Sequence, residues 1–123
     1  MKNDNVVQQK SFALAIRIVN VFKKLTSEKK EFVLSKQLLR SGTSIGANIE
    51  ESIGGQSTKD FLSKISISYK EARETIYWLK LQQATEYLSQ EEASSLLQDT
   101  EEICKILAKI QITLKKQLQT RKD

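Results

Sequence analysis

Apolar residues recur along the chain three and four positions apart, the period of an α-helix. The first segment, from about Val6 to Leu25, carries two such stripes. One is Phe12, Ala15, Ile16, Val19 and Phe22, and the other is Leu14, Ile18, Val21 and Leu25. A helix packed on one side needs a single stripe. The second therefore predicts an additional partner, either another helix of the same bundle or another subunit, with Leu14, Ile18 and Val21 as candidates for the subunit face. A third stripe, Phe32, Leu34, Leu38, Ile45, Ile49 and Ile53, predicts a helix over 31–53. It crosses Ser41-Gly42-Thr43-Ser44-Ile45-Gly46 in phase, although each interior glycine costs about 1 kcal/mol relative to alanine. Phase outweighs propensity, so this helix is expected to run unbroken. Gly42 and Gly46 then share a face against which another helix backbone can come close.

Gly54-Gly55 is the clearest break and predicts a left-handed C-cap. Ser57-Thr58-Lys59-Asp60 has the form of a capping box with Asp in place of Glu, opening a helix over 58–85 with the stripe Phe61, Leu62, Ile65, Tyr69, Ala72, Ile76 and Leu79. Ser89-Gln90-Glu91-Glu92 is a second box. It opens a helix over 90–118 whose core positions are Leu96, Ile103, Leu107, Ile110, Leu114 and Leu118. Four helices joined by short connectors predict an all-α domain over 1–123, an up-down-up-down bundle with antiparallel neighbours.

Composition agrees and removes chemistry. The 123 residues contain no proline, 4 glycines and 7% aromatics, which suits long uninterrupted helices. There is no histidine, hence no imidazole base and no histidine metal ligand. Cys104 is the single cysteine, so an internal disulfide is excluded and a reducing cytoplasm fits. No apolar run approaches the ~20 residues of a membrane span. An enzyme, a metal site and a cofactor all lack a visible constellation, and none is expected.

The net charge is +5, and its distribution says more than its size. Residues 1–30 hold seven Lys/Arg against Asp4 and Glu28, a local excess that could attract an anionic polymer. Lys23, Lys24, Lys29 and Lys30 cluster at the first connector, and Lys115 and Lys116 lie near the end of the last helix. These six are the candidate phosphate-binding residues, able to bind a nucleic-acid backbone without reading bases. Acid-first, base-last order along the last helix also complements its dipole.

Other groups favour structural readings. Arg40 to Asn48 lacks the pattern of a phosphate-binding loop. Glu71 and Glu74 share a helix face but suit ion pairing better than acid–base work, and Arg40 is expected to pair with one of them. Cys104, beside Ile103 and Leu107, suits the core. Tyr77 and Trp78 could stack a base, but no basic run is interleaved with them in sequence. They are assigned instead to an oligomer interface, where large aromatics anchor contacts.

The segment Leu34 to Leu81, with its runs QLLRSGTSIGANIE, GQS and KEARETIYWL, resembles the bacterial four-helix-bundle family encoded in intervening sequences of 23S rRNA genes. That family also carries a ribosomal-protein label and is related to the accessory protein of diversity-generating retroelements. The resemblance implies a left-handed bundle that assembles as a homopentamer, with no catalytic residues to carry over. For the retroelement relatives it implies nucleic-acid binding and a reverse-transcriptase partner. The expected function is a non-enzymatic, cytoplasmic, oligomeric bundle that binds RNA or DNA weakly and without sequence specificity. The alternative is a scaffold that docks another protein, with nucleic-acid binding incidental.

Overall fold

A computed structural model describes residues 2–120, with side chains from residue 6 onward. Four helices follow one another: α1 (Lys2–Ser27), α2 (Leu34–Ile53), α3 (Thr58–Ala84) and α4 (Gln90–Thr120). Each packs on its sequence neighbour, and α1 also packs on α4, while the backbones of α1 and α3, and of α2 and α4, stay apart across the diagonals. Contacts across two of the seams pair rising numbers with falling ones. Lys10, Arg17 and Lys24 of α1 meet Glu102, Asp99 and Glu92 of α4. Across α2 and α3, Leu34 meets Gln82 and Ile45 meets Ser68. These two pairs of helices therefore run antiparallel within a four-helix bundle.

The ends of the helices follow local chemistry. Ser57 Oγ accepts the Asp60 N–H at 3.1 Å and starts α3. The Ser89 box is reciprocal: Glu92 N–H donates to Ser89 Oγ at 3.1 Å, and Ser89 N–H donates to the Glu92 carboxylate at 3.4 Å. α2 begins three residues later than its apolar stripe suggested. Glu31 folds its carboxylate over the helix start and accepts the N–H groups of Val33, Leu34 and Ser35 at 2.9, 3.1 and 2.6 Å. Glu31 therefore caps the helix from outside it rather than forming its first turn.

The left-handed cap expected at Gly54-Gly55 is absent. Gly54 has φ −83°, and no glycine has positive φ. Gly55 is needed for space instead, because a Cβ there would sit 3.0 Å from the Ser52 carbonyl oxygen. Positive φ occurs at Lys30 (54°) and Glu86 (68°), just past the ends of α1 and α3.

The core is a continuous column of buried side chains, including Leu14, Ile18 and Leu25 of α1, Leu38, Ile45 and Ile49 of α2, Ile65 and Leu79 of α3, and Leu96, Ile103, Leu107 and Ile110 of α4. The seam between α2 and α3 is tied by small polar groups. Ser68 Oγ donates to the Ile45 carbonyl at 2.8 Å, and Thr75 Oγ1 lies 3.0 Å from Ser41 Oγ, all within the buried interior.

α2 is helical through Ser41–Gly46 without a break. Its two glycines face α1: a Cβ on Gly42 would lie 2.9 Å from both Cγ1 and Cγ2 of Ile18, and one on Gly46 would lie 3.3 Å from Ser11 Oγ. Ile18 is branched at Cβ and stiff, so it cannot swing aside. Gly42→Ala is expected to destabilise the fold by about 1–3 kcal/mol, overpacking outweighing the gain in helix propensity. Gly46→Ala, opposed by a rotatable hydroxyl, should cost less. Urea unfolding of both variants checks the ranking.

Candidate nucleic-acid and subunit interfaces

The rotation of α1 decides which of its two stripes is available. Ile18 and Ser11 stand against the glycines of α2, so the face they belong to turns inward. Leu14 and Ile18 are 1% and 0% exposed, and Val21 is half-buried against the same core. The assignment of Leu14 and Ile18 to a subunit face is corrected: the bundle consumes their surface itself, while Val21 keeps part of its surface outside. The other stripe is left outside. Phe12 is 68% exposed and Ile16 is 50% exposed. With Ala15, Val19, Asn20 and Lys23 they line a shallow, mostly apolar depression.

Tyr77 and Trp78 also separate. Tyr77 is 58% exposed. Trp78 is half-buried, packs on the core, and donates its indole N–H to the Glu74 carboxylate at 2.8 Å. Their rings meet edge to face with centroids 5.0 Å apart. Glu74 is itself gripped by Arg40, whose guanidinium also reaches Glu71 at 3.0 Å. The Trp78 N–H, with Arg40 beside it, outweighs burial and holds the Glu74 carboxyl below the usual range. Arg40 thus serves the seam between α2 and α3, as its position beside the stripe suggested.

The six candidate lysines do not form one patch. Lys23, Lys24, Lys29 and Lys30 lie at the end of the bundle where α1 stops and α2 begins. Lys115 and Lys116 lie at the opposite end, where Leu114 and Gln117 pack near Gly55 and Phe61. Roughly 35 Å of helix separates the two groups at 1.5 Å rise per residue. Lys24 is not a free cation either. Its ammonium donates to Glu92 at 2.9 Å, and that bond raises its pKa. Lys23, Lys29 and Lys30 are exposed and form no ion pair among the described residues.

The cross-helix ion pairs fall on two of the four seams. Between α1 and α4 run three ion pairs, Lys10–Glu102 at 2.7 Å, Arg17–Asp99 at 2.5 Å and Lys24–Glu92 at 2.9 Å. Arg40 and Lys64 pair across α2 and α3. No ion pair crosses between α1 and α2 or between α3 and α4 among the described residues. At the α3–α4 seam Arg73, Lys80 and Lys105 surround an open groove of about 390 Å³. Sequence reasoning missed this group because its members are seven residues apart on one helix and join a third from another.

Cys104 lies at the floor of that groove. Burial pushes its thiol pKa up against the pull of Arg73, so it stays a neutral small side chain. Among the described residues no group of three or more Cys, Asp or Glu could hold a metal ion, and no helix is long and apolar enough to cross a membrane.

With this geometry in hand, comparison with known proteins is direct. Residues 3–109 match the family model described as 23S rRNA-intervening sequence protein, and the chain belongs to that family. A crystal structure of a protein of unknown function from the S23 ribosomal protein family of Bacteroides thetaiotaomicron VPI-5482 is similar, with 55% identity and a TM-score of 0.86. The match covers 88% of this chain and 96% of that one. No curated protein matches.

Glu31 gives this region a titratable clamp. Burial would raise its carboxyl pKa, but the N–H groups of Ser35, Val33 and Leu34 outweigh it and hold the pKa below 4.5. A carboxyl lowered on folding stabilises the folded state above its unfolded value, and that contribution is lost as pH falls through the folded value. Glu31→Ala should cost about 1 kcal/mol at pH 7, as a lost cap does. The gap from the parent should narrow as pH drops below 4.5. Urea midpoints recorded from pH 7 to pH 3 test this.

Proposed function

We propose that this protein is a non-enzymatic, cytoplasmic, oligomeric bundle that binds nucleic acid through its backbone phosphates, without sequence preference. The observation that carries the reading is the exposed apolar strip of α1, Phe12 and Ile16, which continues into the unpaired Lys23. Covering such a strip with further copies of the chain removes the exposed parts of two large side chains from water, worth about 1–2 kcal/mol each. It also gathers the free lysines of several copies. A homopentamer, as the family resemblance implies, would repeat Lys23, Lys29 and Lys30 five times. Weak phosphate contacts then act together by avidity.

The identity of the bases is left unread in this proposal, because lysine contacts to phosphate carry no sequence information. A protein partner, a reverse transcriptase included, would dock on the same assembly in the competing scaffold reading.

Two measurements test the proposal. Light scattering should give a mass several times the 14.0 kDa of one chain, and Phe12→Glu with Ile16→Glu should return it to the monomer without unfolding. A parent protein that is already monomeric at micromolar concentration refutes the assembly. Binding of a labelled RNA should weaken steeply between low and moderate salt. Gln at Lys23, Lys29 and Lys30 should weaken it further, equally for unrelated RNA sequences. No binding even at low salt refutes the nucleic-acid reading.

A further inference from the structure

The α3–α4 groove stands apart from the lysines considered so far. Its floor is Ile76, Cys104 and Ala108, and its rim carries Arg73, Lys80 and Lys105 against one carboxylate, Glu101. None of these charged groups forms an ion pair among the described residues, whereas the α1–α4 and α2–α3 seams each carry such pairs. Cations in excess over carboxylates along a concave surface concentrate an anion there more strongly than the same charges on an end loop.

An aromatic platform stands beside this charge. Lys70, Arg73, Tyr77 and Lys80 recur three, four and three residues apart on α3, and all four are exposed. Tyr77 is therefore flanked on one helical strip by three cations, an interleaving invisible to a linear reading. Its ring also has a braced neighbour. Trp78 meets it edge to face, Glu74 accepts the Trp78 N–H, and Arg40 holds Glu74 from α2. The guanidinium of Arg73 lies 6.0 Å from the Tyr69 ring centroid and donates to its hydroxyl at 3.2 Å, which fixes it at the groove's edge.

From this arrangement we infer that the α3–α4 groove is a binding site for single-stranded nucleic acid. The strand's phosphates lie along Arg73, Lys80 and Lys105, and a base stacks on Tyr77. A cationic groove beside an exposed ring is the combination that single strands use. A duplex keeps its bases stacked on one another and could use only the charges. Arg73 and Lys80 are seven residues apart, so about 10.5 Å of helix axis separates their backbones. That spacing suits successive contacts along one chain rather than a single small anion. This inference rests on the nucleic-acid reading above and gives it a second site, distinct from the connector lysines.

The test measures binding of a fluorescent 12-nucleotide RNA of mixed sequence to the full chain over a range of salt. Four proteins are compared: the parent, Arg73→Gln/Lys80→Gln/Lys105→Gln, Tyr77→Leu, and Lys23→Gln/Lys29→Gln/Lys30→Gln. Each carries only exposed substitutions, and circular dichroism confirms the fold. The groove triple variant should bind more weakly, and its salt slope should be shallower by about 2, at 0.7 per lost phosphate contact on a single strand. Tyr77→Leu should weaken binding about tenfold with the slope unchanged. Parent binding that the groove variant leaves intact while the connector variant abolishes it overturns the groove and spares the proposed function. A parent that binds no RNA at low salt overturns both. If polyglutamate displaces the RNA as well as unlabelled RNA does, and Tyr77→Leu changes nothing, the groove is a site for an acidic protein segment and the inference fails.

Discussion

The contact of Ile18 with Gly42 sets the rest of this bundle. A side chain branched at Cβ meets a position with no Cβ at all, and one turn further along α2, two turns back along α1, Ser11 meets Gly46. Together these contacts fix both the spacing of α1 from α2 and the rotation of α1 about its own axis. Once that rotation is set, Leu14 and Leu25 must enter the core, and Phe12 and Ile16 must face water. The outer surface is thus a by-product of a packing choice made inside. A larger residue at position 42 would push α1 outward and disturb the fit of every core side chain it contributes.

Charge is arranged by the same neighbour relations. The α1–α4 seam is laced with carboxylate–ammonium and carboxylate–guanidinium pairs, and Arg40 bridges α2 to α3 through Glu71 and Glu74. Such exposed pairs contribute little individually, but they cancel field. Among the described residues the positive charge is therefore expressed where such pairs are missing, and the α1–α2 connector and the α3–α4 groove are two of those places. The acids of α4 are largely spent on α1. Asp99, Glu102 and Glu92 all turn that way, which leaves Glu101 alone beside three cations.

Much of the fold was legible in the sequence because helical phase is a local property. The stripes located four helices to within a few residues, and phase carried α2 correctly through two glycines. Arg40 could be paired with Glu71 or Glu74 because all three flank apolar stripes. Other features depended on tertiary placement. The two stripes of α1 are equally apolar, so only the docked α2 decides between them. Glu31 caps α2 by reaching forward from the connector, a geometry that apolar periodicity does not encode. The strip around Tyr77 emerges only when residues are read at helical spacing and α4 is laid alongside. Lys24 looked like part of a free cluster until Glu92 came into range from the other end of the chain.

The order of packing around the bundle also bears on how the chain reaches this state. Three of the four seams join helices that are adjacent in sequence, so each closes a loop of only a few residues. The fourth, α1 against α4, joins the two ends of the polypeptide and closes nearly the whole chain. Its entropy of closure is larger, though only logarithmically so. The topology is consequently dominated by short-range hairpins of helices, the arrangement associated with rapid folding. The costliest closure falls on the seam whose Lys–Glu and Arg–Asp pairs attract one another through water before any side chain interlocks.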